Sequence, residues 1–352
     1  MKMKSVLIIL LLIFSTLFVI QPVFIKTASA TGWWNGSYAY YIPITITGSY
    51  VSTTLTNFPV LVVINTTIGS LCDGGNSIRF VGTDNTTTYP YEIDFWNSSA
   101  NSYVWVNLST LTATTDTTFL MYYNYSGVAD GQNDTAVWDS NYILVSHMND
   151  GINSSTIKDS TINRNNGTKK GANEPILSVG MVGNAQYFDG TDDLITMANS
   201  TSLYPVQQHT LSVWTNLKVL PPAGKYPAIW MKFALASVNG YGLVYEGDLA
   251  GTQDQIGDGS TYRRSPAITN QKTNTWYDVG ASYNGTAVAS FINGTNFGTP
   301  ITWNASVGLN TNGAIMGRHV SNGASYGYLN GTIDEFELQF TDIFTAYLNK
   351  IC

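Results

Sequence analysis

The sequence predicts an all-β protein made of two β-sandwich domains in series, with a short C-terminal helix. Three observations predict it. Short apolar segments alternate with polar residues at period two and recur between clusters of Gly, Asn, Asp and Thr. Charged residues are only 11% of the chain while Thr, Asn, Ser, Gly and Tyr abound, a balance that suits strands and turns rather than helices. Hydrophobic content of 44% with 13% aromatics can fill real cores, which excludes a disordered chain.

The first thirty residues stand apart from the fold. MKMK is a positive n-region, VLIILLLIFSTLFVI an apolar h-region, and Ala28-Ser29-Ala30 has the small-x-small form of a cleavage site. Residues 1–30 are therefore read as a signal peptide, with a mature N-terminus near Thr31 and an extracellular or cell-surface destination. The apolar stretch from Val6 to about Phe24 approaches membrane-spanning length, so an uncleaved anchor is the alternative and the one membrane contact expected. A formal charge of −7 and a pI near 4.8 exclude nucleic acid as a partner, because no basic stripe exists to displace counterions. An oxidising compartment permits a bridge between Cys72 and Cys352; two unpaired cysteines are the alternative.

In chain order, YYIPITITG (Tyr40–Gly48) opens the first domain, residues 31–138, with Ile42, Ile44 and Ile46 on one face. FPVLVVIN, SIRFVG, YVWVNL and TFLMYYNY follow as further strands. The pattern restarts after Trp138 for a second domain, residues 139–352. It opens on YILVSHM (Tyr142–Met148) and runs through AQYF, DLITMA, HTLSVWTNL, AIWMKFAL, YGLVYEG, TWYDVGASY, VASFING, AIMGRH and TIDEFELQF. FTDIFTAYLNKI spaces Ile343, Phe344, Tyr347, Leu348 and Ile351 as a terminal amphipathic helix.

Asn-x-Ser/Thr acceptors are dense, and export makes them glycosylation candidates: Asn35, Asn65, Asn85, Asn97, Asn107, Asn124, Asn133, Asn153, Asn166, Asn199, Asn284, Asn293, Asn304 and Asn330. An Asn/Thr-rich composition by itself generates a good part of that number.

Two resemblances attach to these residues. GWWNGSYAYYIPITI, FPVLVVI, SIRFVGTD, YPYEIDFWNSS, YVWVNLSTL and MYYNYSG, across about Gly32 to Ala136, resemble the domain of unknown function DUF2341 of exported proteins. The second half is similar to the LamG-like (concanavalin A-like) jelly roll through DSTINRNNGT, GMVGNAQYFDGTDDLITM, TLSVWTNL, NTWYDVGASYNGT, FINGT and NGTIDEFEL. That resemblance implies a fold that hosts lectins, adhesion modules and glycanases alike. It also implies a structural Ca²⁺ site, with Asp159 and Asn163 in a polar loop near Asp334; oxygen donors suit this hard cation. Ile162 and Arg164 stand where the related loop carries glycines.

The cluster FDGTDD (Phe188–Asp193) has three readings: a hairpin turn with Gly190 at positive φ, a calcium ligand set, or catalytic acids. The turn is favoured. In TIDEFEL, strict alternation puts Glu335 and Glu337 on one face, opposite Asp334 and Phe336. His147, His209 and His319 lack zinc-site spacing, and His147 reads as a hydrogen-bonded core imidazole. Trp105, Trp214 and Trp276 read as core, while one of the adjacent Trp33 and Trp34 is expected to be exposed. No catalytic residue is assigned. The chain is expected to be a non-catalytic recognition protein that binds glycan or a surface protein through jelly-roll loops. A self-assembling subunit of a surface layer, appendage or virion is the alternative, and a glycan-processing enzyme a further one.

Overall fold

The computed structural model describes residues 33–171, 174–204, 207–320 and 326–340. The leader, the helix expected from Thr341 and Cys352 lie outside the described residues. Among the described residues no helix is long and apolar enough to cross a membrane.

The first sandwich pairs a four-stranded sheet with a three-stranded one. The four-stranded sheet runs Tyr40–Ile46, Thr117–Tyr123, Arg79–Gly82, Thr88–Tyr89; the other runs Leu55–Ile64, Ser102–Leu111, Tyr91–Phe95. Pro43 and Pro59 both fall in edge strands, where a missing N–H costs no ladder bond. Val60, Val62, Ile64, Val104 and Val106 point inward to meet Phe80, Phe119 and Met121. Leu61 and Trp105 point the other way and are buried too, against Trp138, Tyr142, Val145 and Val182. LVVI and VWV are thus continuously apolar because both faces of that sheet are covered.

The second sandwich has two larger sheets. One is ordered Tyr262–Arg264, Gly251–Asp258, Asn239–Glu246, Ala228–Ala234, Ala314–Met316, Ile195–Met197, Gly167–Lys169, Thr156–Ile157. The other runs from Ile176–Val179 through Asn184–Asp189, Asn330–Gln339, His209–Leu217, Trp276–Tyr283 and Ala287–Ile292 to Thr295–Thr302; Tyr142–Ser146 also pairs with Asn330–Gln339. Between them lie Trp230, Phe336, Phe188, Tyr241, Leu211, Val213 and Ile256. Trp214 and Trp276 are half-buried and outside this core, contrary to the sequence expectation. Both alternate with core residues and so lie on the outer face of their sheet.

One irregularity shapes the junction between the sandwiches. Ser212 pairs with Glu337 and Trp214 with Asp334, so Asn330–Gln339 carries one extra residue there. The bulge has Glu335 at φ 45°, a left-handed conformation that costs a non-glycine residue about 1–2 kcal/mol. It corrects the alternation expected for TIDEFEL. Ile333, Phe336 and Leu338 enter the core, which leaves Asp334, Glu335 and Glu337 together on the opposite face, toward the first sandwich.

Trp138 anchors this junction. It is buried, packs on Trp105 and Tyr142 at centroid distances of 5.3 and 5.1 Å, and donates from Nε1 to Glu92 at 2.9 Å. Trp138→Ala should cost about 3–5 kcal/mol by the range for buried tryptophans. Because the loss falls at the contact between sandwiches, guanidinium denaturation followed by fluorescence should change from one transition to two. A single transition at an unchanged midpoint would show that the two sandwiches do not depend on this contact.

Candidate functional site

The described residues singled out in the sequence each have a definite place. Phe188 is in the core and Gly190 has φ 81°, which agrees with a turn. Within it Asp193 accepts from the Asp189 N–H at 2.8 Å, and Asp189 accepts from Thr191 N–H at 2.7 Å. Asp192 is paired with Lys170, which also holds Glu174 at 3.1 Å.

Asp159, Asn163 and Asp334, the residues of the expected Ca²⁺ site, are each engaged by protein groups. Asp159 is fully buried and accepts from Val145 N, Thr161 N, Thr161 Oγ1 and Asn165 N at 2.6–3.1 Å. Four donors saturate a carboxylate. Asn163 donates its amide to the carbonyls of Tyr142 and Ile143. Asp334 accepts from the backbone of Met181 and Val182. Asp159 thus holds its loop from within, and Arg164, at φ 50°, takes the left-handed turn that a glycine would take more cheaply. Asp159→Ala should destabilise the fold by about 3 kcal/mol or more, because several buried donors lose their acceptor together; a urea midpoint unchanged from wild type would refute that role.

Among the acceptor asparagines, Asn133, Asn153, Asn166, Asn199, Asn284, Asn293 and Asn304 are exposed. Asn107 is a correction: it is buried, and its Nδ2 donates to the carbonyls of Ala136 and Val137, which leaves that atom no room for a sugar. Cys72 is buried, donates to the Ile68 carbonyl at 3.1 Å, and burial pushes its thiol up to about 12. Trp33 and Trp34 are both half-buried in an aromatic cluster with Tyr38, Tyr41 and Tyr122, so neither is the exposed platform expected.

His147 is buried and hydrogen-bonded, as its sequence context suggested, but at the junction rather than in a sandwich core. Its Nδ1 lies 2.9 Å from Glu335 Oε2 and its Nε2 3.3 Å from Glu92 Oε2. Burial opposes the charge on this ring, but the carboxylates of Glu335, Asp94 and Glu92 outweigh it and hold His147 well above its ordinary pKa. Glu92 also accepts from Trp138 Nε1, from Ser160 Oγ at 2.6 Å and from Lys158 Nζ at 2.9 Å. These cations and donors overcome burial and keep Glu92 far below the usual carboxylate range.

A second site lies on the outer face of the sheet that ends in Tyr262–Arg264. It is a cleft of about 370 Å³, within the size range of small-molecule sites. Glu246 and Gln255 form its buried floor. Tyr262 and Tyr326, 46% and 37% exposed, offer ring surface at its rim. The Arg264 guanidinium lies 5.2 Å from the Tyr262 ring centre, pairs with Glu246, and donates from Nε to Gln255 Oε1 at 3.1 Å. Gln253 donates to Glu246 at 3.0 Å. Tyr226 donates to Asp248, which also accepts from the Gly224 N–H at 2.8 Å. Tyr326 is flanked by Tyr226 and His319, with ring centres 5.7 and 4.8 Å away. Burial, then Arg264 and Arg318, press His319 down to about 4, so it is neutral at ordinary pH. The sequence reading passed over all of these cleft residues except His319. The available signal was TYRR (Thr261–Arg264), two adjacent arginines beside an aromatic in a chain poor in charge.

Two family models match parts of the sequence. Residues 189–340 match the family model of the concanavalin A-like lectin/glucanases superfamily. They form a concanavalin A-like domain. Residues 74–161 match DUF2341, a domain of unknown function. That span runs past Trp138, so it takes in Glu92, Asp94, His147 and Asp159. Among solved structures, domain 4 of AbnA, a GH43 extracellular arabinanase from Geobacillus stearothermophilus, in complex with arabinotriose, is 19% identical. The match covers 56% of this chain and 92% of that one, at a TM-score of 0.46. The binding domain of Paraclostridial Mosquitocidal Protein 1 is 13% identical over 59% of this chain and 52% of its own, at 0.44. The botulinum neurotoxin serotype D ligand binding domain in complex with N-acetylneuraminic acid is 13% identical over 62% and 52%, at 0.46. This chain spans about half the length of those two toxin domains. These likenesses concern the fold. No curated protein matches the chain.

Proposed function

We propose that this chain is an exported, non-catalytic recognition protein whose concanavalin A-like domain binds an uncharged glycan in the tyrosine-rimmed cleft. The observation that carries the proposal is the pairing of half-exposed Tyr262 and Tyr326 rings with a floor of fixed polar groups, Glu246, Gln255 and Arg264. Flat aromatic faces take the C–H faces of a sugar ring, and convergent polar groups read its hydroxyls. Two carboxylates against one guanidinium, with His319 neutral, disfavour acidic sugars. Neither carboxylate is free for chemistry: Glu246 is held by Arg264 and Gln253, and Asp248 by Tyr226 and the Gly224 backbone. The hydrophobic leader supports export.

A glycan array followed by titration calorimetry tests the proposal. Tyr262→Ala and Tyr326→Ala should each weaken the best array ligand about tenfold or more, which corresponds to about 1.4 kcal/mol. Raising salt from low to 0.5 M should change the affinity little, because an uncharged ligand has no ion pairs to screen. Wild-type affinity retained in both tyrosine variants would place the ligand elsewhere, and release of reducing ends would reassign the protein to catalysis.

The cleft also sets a pH dependence. His319 titrates near 4 rather than near 6.5, so its ring stays neutral from pH 5 to 8. The ring should contribute no change in affinity over that range, because it becomes a second cation beside Arg264 only as pH drops through about 4. An inflection between pH 6 and 7 that disappears in His319→Gln would show that the ring is more solvated than the cleft geometry implies.

A further inference from the structure

The junction between the sandwiches brings Asp94, His147 and Glu335 together. All three are buried, and their ligand-capable atoms lie within 4.8 Å of one another. Asp94 comes from Tyr91–Phe95 in the first sandwich; His147 and Glu335 come from the second, where Phe336 pairs with Ser146 and the next residues meet. Two carboxylate oxygens there, Asp94 Oδ2 and Glu335 Oε1, are buried and have no hydrogen-bond donor. Such an oxygen is costly to bury if nothing faces it. Ligand-capable oxygens of Asp94 and Glu335 lie within 4.8 Å of each other, so a positive species between them, a proton or a metal cation, relieves their repulsion.

We propose that Asp94, His147 and Glu335 form a buried binding site for a divalent transition-metal ion, Zn²⁺ foremost, that clamps the two sandwiches together. The donor set is one imidazole nitrogen and two carboxylates, which suits Zn²⁺ or Mn²⁺ better than the all-oxygen ions Ca²⁺ and Mg²⁺. His147 Nδ1 and Glu335 Oε2 lie 2.9 Å apart, a hydrogen-bond distance that needs to open only to about 3.4 Å for a tetrahedral ion with bonds of about 2.1 Å to replace the proton between them. The surroundings are those of a metal shell. Glu92 faces His147 Nε2, which fixes that nitrogen as the protonated one and leaves Nδ1 for the metal. Asn149 Nδ2 donates to Asp94 Oδ1, which turns the other oxygen, Oδ2, inward. The left-handed bulge at Glu335 puts that side chain on the junction face instead of in the core.

Charge balance points the same way. Glu92, Asp94, Asp334, Glu335 and Glu337 face this region, against His147 and the half-exposed Lys158. A divalent ion replaces two protons, the one on His147 Nδ1 and the one the adjoining carboxyls otherwise share. The net charge of the buried cluster is then unchanged, and binding releases both protons to solvent. Affinity should therefore rise with pH. Because the ligands come from both sandwiches and are enclosed, the ion is captured as the two halves dock.

The test uses the whole mature chain, unfolded in guanidinium with EDTA and refolded with or without Zn²⁺. Metal retained after gel filtration is measured by mass spectrometry, and Tm by calorimetry. One Zn²⁺ per chain is expected, with a raised Tm that chelator reverses and with more metal retained at pH 8 than at pH 6. The double variant Asp94→Asn, Glu335→Gln keeps the shape and removes the facing charges, so it should fold and bind at least 100-fold more weakly. Glu92→Gln should bind about 10–100-fold more weakly, the usual loss for a group that orients a ligand. Asp192→Asn, at the exposed acidic turn, should change nothing. Failure of wild type to retain metal would mean that the carboxyl pair holds a proton only. Retention by the double variant would put the ion elsewhere, and either result overturns the proposal.

Discussion

One imidazole ties the two sandwiches together. His147 stands between Glu335 of its own domain and Glu92 of the other, so the two sandwiches meet across a buried ring bonded at both nitrogens. Taking such groups out of water is expensive, and attraction repays the cost only when every remaining lone pair is met. Glu92 meets that condition with Trp138, Ser160 and Lys158 beside the histidine. The apolar contact around it, Leu61, Trp105, Val145 and Val182, then excludes water and strengthens the same electrostatics. Orientation of one sandwich on the other follows, because a buried ion network fits in one arrangement.

The bulge in Asn330–Gln339 makes the network geometrically possible. Without the extra residue, Asp334 or Glu335 would turn into the hydrophobic core beside Ile333 and Phe336. With it, the strand keeps its apolar face intact and delivers consecutive acids to the junction. A strained backbone angle at a residue that is both buried and charged is where function is usually found. Here it coincides with a position that joins two domains.

Much of the fold was legible in the sequence, because alternating and continuous apolar runs report burial directly. YYIPITI, FPVLVVI and HTLSVWTNL all became strands close to the expected positions. The sites were far less legible. GTQDQIGD (Gly251–Asp258) has almost no apolar period, yet it is a nearly buried strand. Its polar residues are met inside: Asp254 by His209, Gln253 by Glu246, Gln255 by Arg264. Periodicity detects hydrophobic burial and is blind to polar burial, which is where the cleft floor lies. TIDEFEL failed for a related reason, since one inserted residue reverses the face of everything before it.

The cleft and the junction lie on opposing sheets of the second sandwich. The cleft lies on strands at the far edge of one sheet, Tyr262–Arg264 and its neighbours, where ring faces and hydroxyls stay open to solvent. The junction uses the opposing sheet, through Asn330–Gln339 and Tyr142–Ser146, and is closed. The core between them is packed with fully buried aromatics such as Trp230, Tyr241 and Tyr283. A packed interior of this kind transmits displacement but deforms little. The first sandwich packs on the sheet opposite the cleft, through Asn330–Gln339 and Tyr142–Ser146.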